Sequence, residues 1–206
     1  RLVFIMFYLA AFCACMLTGL IDPFITIAFG EGLLLARVTV FVCIFNLYIS
    51  TIDIPVYNFI AASGMFKLDK YISIAGSGMN LIISFALGRS MGMTGILLGT
   101  SATYLIQFIL KVMLFYKKCL KRSYTEIFLK NAAFAVLTAA ECAVICLCTS
   151  AICAAVSNRY AAFIIYAAVS GIIPLVINSL VFIKTEEFKY TLNLCCETLK
   201  RFGSAK

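Results

Sequence analysis

Apolar runs long enough to cross a bilayer alternate with short polar segments along the whole chain. A span needs about 20 apolar residues to traverse a hydrocarbon core of roughly 30 Å. Six runs qualify: residues 2–21, 38–60, 71–88, 93–115, 131–152 and 160–183. Between them lie Asp22–Arg37, Ala61–Lys70, Arg89–Gly92, Tyr116–Lys130 and Cys153–Arg159, each expected as a loop. The pattern predicts an all-α, polytopic membrane protein whose residues 1–183 form a bundle of six transmembrane helices. Beyond it, Phe188, Leu192, Cys195 and Leu199 recur at helical spacing among charged residues. That predicts a short amphipathic tail over 184–206, lying on the cytoplasmic membrane surface.

Composition agrees with the pattern. Hydrophobic residues make up 64% of the 206, against about 45–50% in soluble domains, and the mean hydropathy is +1.06. The chain opens Arg1-Leu2-Val3-Phe4 without an initiator Met and is expected to be a fragment of a longer protein. Its first run is too long for a signal-peptide core and no small-residue cleavage site follows, so it is read as a span.

Charge orients the bundle. Lys and Arg accumulate in cytoplasmic loops, and with both ends cytoplasmic thirteen of the 17 basic residues fall on that side. Arg37, Arg89 and Arg159 fall outside, and Lys111 lies within a span. The expected setting is therefore a cytoplasmic membrane crossed several times, with a cytoplasmic C-terminus. The net charge of +8 is accounted for by orientation and calls for no nucleic acid.

Ten cysteines and no histidine narrow the chemistry. Cys13, Cys15, Cys43, Cys142, Cys146, Cys148 and Cys153 sit in or beside apolar runs, where a thiol acts as a small hydrophobe. Without histidine there is no Cys/His zinc site and no imidazole base. No metal or other cofactor is expected, and an enzyme is disfavoured.

Polar residues inside the spans fall on helical faces. Asn46, Ser50, Asp53 and Tyr57 share one face of the second span; Ser73, Ser77, Asn80 and Ser84 share one of the third; Thr100, Tyr104, Gln107 and Lys111 share one of the fourth. A charge facing lipid at the helix centre costs about 2.5–3.5 kcal/mol on insertion scales, so these seams should face other helices or water. Asp53 lies roughly 10 Å deep at 1.5 Å per residue, beyond snorkelling range. Pro55 nearby frees helical carbonyls. Asp53 is thus either an ion- or substrate-binding group or a hydrogen-bonded structural acid. Lys111 either reaches the headgroups or faces a cavity. Glu141, near the middle of the fifth span, is either a sodium or proton site or a buried protonated carboxyl. Ser170, Pro174 and Asn178 mark a kinked, polar-lined last span.

Several stretches in order carry a resemblance. "ASGMFKLDKY" at 62–71 and "MGMTGILLGTSATYLIQ" at 91–107 resemble the second half of bacterial polysaccharide flippases, the O-antigen and teichoic-acid type members of the multidrug/oligosaccharidyl-lipid/polysaccharide exporter superfamily. "GLIDPFITIAFGEG" at 19–32 is similar to the segment after that family's seventh helix, and "TEEFKY" at 185–190 to its cytoplasmic C-terminal start. The resemblance covers almost the whole chain. It implies the C-terminal lobe of a two-lobe, alternating-access exporter that moves polyprenyl-pyrophosphate-linked oligosaccharide across the bacterial cytoplasmic membrane. The partners it implies are that lipid-linked sugar, membrane lipids and the missing N-terminal lobe, with room for a coupling sodium ion or proton at Asp53 or Glu141. Arg37, Asn46, Asp53, Gln107 and Lys111 would then line the substrate cavity, with Lys67, Asp69 and Lys70 at its cytoplasmic mouth. Within the spans this lobe carries two acids and one base, so a strongly cationic cavity must draw on the other lobe or on residues such as Lys67 and Arg37. A cation-coupled drug antiporter of the same superfamily and a six-span membrane scaffold or enzyme are the rival readings.

Overall fold

In the computed structural model of the chain, residues 1–120, 123–155 and 158–204 are described, apart from the side chains of Glu31, Leu68, Leu120, Ala154, Ala155, Cys195, Cys196 and residues 198–204. The described residues are all-α. In order they form α1 (Leu2–Phe29), α2 (Arg37–Ala62), α3 (Phe66–Met91), α4 (Met93–Phe115), α5 (Thr125–Ala155), α6 (Arg159–Phe182) and α7 (Glu186–Ser204). The first six are long and apolar enough to cross a bilayer. The chain is a multi-pass membrane bundle.

The connections are tighter than hydropathy alone predicts. The expected loop over 22–37 is mostly helical: α1 runs through Pro23 to Phe29, and a 3-10 turn follows at Glu31–Leu33. Proline removes one backbone donor, and the apolar residues after it continue the helix. At 28 residues α1 is ~42 Å long, longer than the ~30 Å hydrocarbon core, so it tilts or protrudes. The expected loop over 61–70 shrinks to Ser63–Met65, turned by Gly64 at φ 73. Lys67, Asp69 and Lys70 consequently stand on the first turns of α3 and not in a loop. Residues 116–120 prolong α4 as a π-helical turn, and α5 begins at Thr125, so the 116–130 connection is also largely helical. Asn158 caps α6 by accepting hydrogen bonds from the backbone N–H groups of Tyr160 and Ala161. Lys121, Arg122 and Lys206 lie outside the described residues, as do the side chains of Cys195, Leu199, Lys200 and Arg201.

α3 and α4 form a hairpin whose helices touch because glycine permits it. A Cβ on Gly95 would run into the Leu87 carbonyl oxygen, and one on Gly99 into Ser84. Gly76 accommodates the Gln107 side chain in the same way. Small residues of this kind let transmembrane helices approach closely enough for van der Waals contact and interhelical hydrogen bonds, the forces left when lipid is as apolar as leucine. Ser84 Oγ uses that proximity to donate to the Ile96 carbonyl at 3.1 Å.

α1 is the central helix, in contact with α2, α5 and α6, while α3 and α4 reach the bundle through α2. The core lies at the end of the bundle near Arg1. Phe7 is wholly buried there and stacks on Phe134 at 4.0 Å between ring centroids, and Phe4 meets Phe182 edge-on at 5.2 Å. Ile52, Phe108, Val112 and Phe115 extend this cluster across α2 and α4, and Phe188 of α7 joins it. Aromatic pairs of this geometry contribute about 0.5–1.5 kcal/mol each beyond area. Toward the opposite end the buried residues of α1 are small: Ala10, Ala11, Ala14, Cys15 and Gly19.

Candidate functional site

Lys111 of α4 is buried, with 7% of its side chain exposed, and donates a hydrogen bond from Nζ to Asp53 Oδ2 of α2 at 2.8 Å. Its second acidic neighbour is Asp69, at the start of α3, whose Oδ1 lies 3.5 Å from the same nitrogen. One ammonium thus ties three helices together through two carboxylates, each about one-fifth exposed. The ring of Tyr57, one turn beyond Asp53, faces the ammonium at 6.0 Å. The triad sums to one negative charge.

Polar contacts along the same seam lock α2 against α4. The hydroxyls of Thr39 and Thr94 share a hydrogen bond of 2.7 Å. Asn46 Nδ2 donates to the Leu97 carbonyl at 3.1 Å, while its Oδ1 is buried without a partner. Beside the triad opens a small pocket of about 180 Å³ lined by Ile49, Ser50, Asp53, Tyr104 and Gln107. Asp53 Oδ1, the oxygen not held by Lys111, is itself buried without a hydrogen-bond partner. Asp53, Gln107 and Lys111 therefore cluster as the seam spacing predicts.

Arg37 does not join them. It lines a different, larger groove with Asp22 and Arg159. The reason is helical geometry: sixteen residues at 3.6 per turn put Arg37 and Asp53 about 160° apart on α2. Asp69, expected at a cytoplasmic mouth, is a member of the triad, and its neighbours Lys67 and Lys70 make no ion pair with it among the described residues.

A second polar nest lies between α1, α5 and α6. Glu141 is 1% exposed; Cys15 Sγ approaches its Oε2 at 3.7 Å, and Oε1 has no partner. Asn178 of α6 adjoins it and is fully buried. The hydroxyl of Tyr48 faces this nest from α2, beside Thr138 of α5. Neither Asn178 nor Tyr48 was singled out as a partner of Glu141 by sequence pattern. Both are polar residues in spans, but nothing in helical spacing relates residues on different helices.

No family model, curated protein or solved structure matches this chain.

Proposed function

We propose that the chain is one lobe of an alternating-access transporter that moves polyprenyl-pyrophosphate-linked oligosaccharide across the bacterial cytoplasmic membrane for surface polysaccharide assembly. The observation that carries this reading is the Lys111–Asp53–Asp69 triad at membrane depth, beside an open polar pocket. Ionised side chains are costly inside a bilayer and occur where a wet passage or a moving charge employs them. Neutral contacts such as Thr39 with Thr94 join the same helices without that cost. In this reading Lys111 exchanges its aspartates for the pyrophosphate of the substrate, and the N-terminal lobe supplies the facing wall. The lobe binds and moves its cargo without bond chemistry. A sodium ion or proton taken up at Asp53 or at Glu141 supplies the driving force.

The test is flipping of a short-chain polyprenyl-pyrophosphate oligosaccharide by the full-length protein in vesicles, read at matched amounts of folded protein. Asp53→Asn leaves Lys111 held by Asp69, so insertion is retained while flipping falls at least tenfold; Lys111→Ala likewise inserts and fails to flip. Wild-type flipping by both variants would return the triad to a packing role.

The negative sum of the triad favours one second reading, a cation-coupled drug antiporter. In that case Glu141→Gln abolishes proton- or sodium-dependent dye efflux, and the lipid-linked sugar is not flipped by the wild type.

A further inference from the structure

The outer face of α3 ends in lysines. Asp69 points inward to Lys111, and at 3.6 residues per turn Lys67, two positions earlier, stands about 160° around the helix from it, facing away from the triad. Lys70, Tyr71, Ile74, Ile82 and Phe85 fall within about 60° of Lys67 on that same face. Those last four side chains are each between 60% and 72% exposed, because α3 meets the bundle on its other side, through α4. Gly78, between Ile74 and Ile82, has nothing within 4 Å of where a Cβ would stand, so the stripe carries a notch.

A second lysine pair joins the first at this end of the hairpin. Lys117 and Lys118 stand on the π-helical turn that prolongs α4, and Cys119 beside them meets Met65, the residue before α3, at 3.7 Å between sulfurs. All four lysines are exposed, and none makes an ion pair among the described residues. Asp69 is engaged by Lys111. Counting the exposed Glu126 of α5 against the patch, four lysines less one carboxylate leave three positive charges. The neighbouring residues Leu68, Leu120, Lys121 and Arg122 bring no acid to the sum.

Basic clusters of about four to eight residues at the end of a membrane span attract anionic headgroups. A soluble polyanion would engage the lysines alone. A phospholipid also uses what lies beneath them: from Tyr71 to Phe85 the stripe runs about 21 Å at 1.5 Å per residue, enough for an acyl chain of one leaflet, half of a ~30 Å core. We propose that the open end of the α3–α4 hairpin binds an anionic phospholipid, its headgroup at Lys67, Lys70, Lys117 and Lys118 and one acyl chain along the outer face of α3. The site is separate from the triad, and it stands whether or not the transport reading does.

The chain contains no tryptophan, so an introduced one is read as the signal added to that of the parent protein. The full-length protein carrying Ile74→Trp is reconstituted in phosphatidylcholine vesicles containing either brominated phosphatidylglycerol or brominated phosphatidylcholine. Tyr71→Trp reports from the same face should Ile74→Trp fail to fold. Leu180→Trp on α6, 68% exposed, is the control, since it lies at the same end of the bundle beside Lys184 and Lys189, which Glu186 and Glu187 balance. Brominated phosphatidylglycerol is expected to quench the α3 tryptophan at about fivefold lower mole fraction than brominated phosphatidylcholine, the preference one basic residue near a bilayer surface confers and so the least that the cluster should show. The control is expected to be quenched equally by both, and replacing the four lysines with Gln to bring the α3 tryptophan to the same parity. Equal quenching on α3, an equal preference at Leu180→Trp, or a preference that survives the four substitutions would each overturn the proposal. So would quenching on α3 by neither lipid, which would show that protein covers the stripe.

Discussion

Removing Lys111 should damage this protein more than removing either of its acidic partners, because the triad is asymmetric. Lys111 has two acids at 2.8 and 3.5 Å, whereas each acid has one cation. Lys111→Met leaves two carboxylates facing each other with about one-fifth of each side chain exposed. Breaking a buried pair by deleting one partner costs about 3–5 kcal/mol. The residual exposure of the acids places this case near the lower end, about 3 kcal/mol, or roughly a hundredfold in the unfolding equilibrium at ~1.4 kcal/mol per decade. Asp53→Asn removes the shorter contact but leaves Lys111 beside Asp69, a neutral pair, and an amide oxygen in place of the lost acceptor. Its cost is at the low end for one charge-assisted hydrogen bond, ~1.5–2 kcal/mol.

The double variant gives the sharper test. Adding Asp53→Asn to Lys111→Met removes one of the two stranded carboxylates, and the survivor, Asp69, sits in the first turn of α3, where the helix dipole favours an anion. The second substitution should therefore restore about 1 kcal/mol, so that the double variant costs ~2 kcal/mol where the single costs sum to ~4.5–5, a coupling of ~2.5–3 kcal/mol and within the range for contacting residues. Reversible unfolding in mixed micelles, followed by circular dichroism, gives all three values. Two results would refute the reasoning: Asp53→Asn costing more than Lys111→Met, or single-variant costs that add to within ~0.5 kcal/mol.

Two further outcomes are open to direct measurement. Gly95→Ala drives a Cβ into the Leu87 backbone, which cannot yield, and should cost ~2–3 kcal/mol in the same unfolding assay; Gly76→Ala meets only the mobile Gln107 side chain and should cost under ~1 kcal/mol. Phe188→Ala should loosen α7, whose attachment includes that buried ring and the stacking of Arg1 on Tyr190 at 4.6 Å. At ~3 kcal/mol for a buried phenylalanine, hydrogen exchange over residues 186–194 should accelerate about a hundredfold while α1 to α6 stay protected.

Hydropathy located all six spans, because length and apolar content are the two properties a bilayer selects. It misjudged the connections at 22–37, 61–70 and 116–130, where polarity marks the exit from hydrocarbon and not the end of hydrogen-bonded helix: α1 simply continues to Phe29. The α2–α4 seam was legible from spacing, since Asn46 and Asp53 on one helix and Gln107 and Lys111 on the other each share a face. That Asp69 completes the ion pair was not legible, because it depends on how sharply Gly64 turns the chain into α3. The separation of Arg37 from Asp53 was present in the sequence all along. Sixteen residues apart on one helix is nearly half a turn, and grouping both in one cavity set sequence order above angular position.

The two faces of α2 account for the two openings. On one, Thr39, Asn46 and Asp53 each find a partner on α4, and with no water in hydrocarbon to compete for them these contacts hold α2 toward α4. On the other, α2 offers Phe41 and Ile44, for which lipid is as good a neighbour as protein. α5 answers mainly with small residues, Ala135, Ala139, Cys142, Ala143 and Cys146 among them. A helix drawn by polar contacts to one side and met by small residues on the other leaves unfilled volume on the second side. The ionic pocket and the apolar groove are thus two consequences of a single arrangement, in which satisfying the charges on one face of α2 fixes the vacancy on the other.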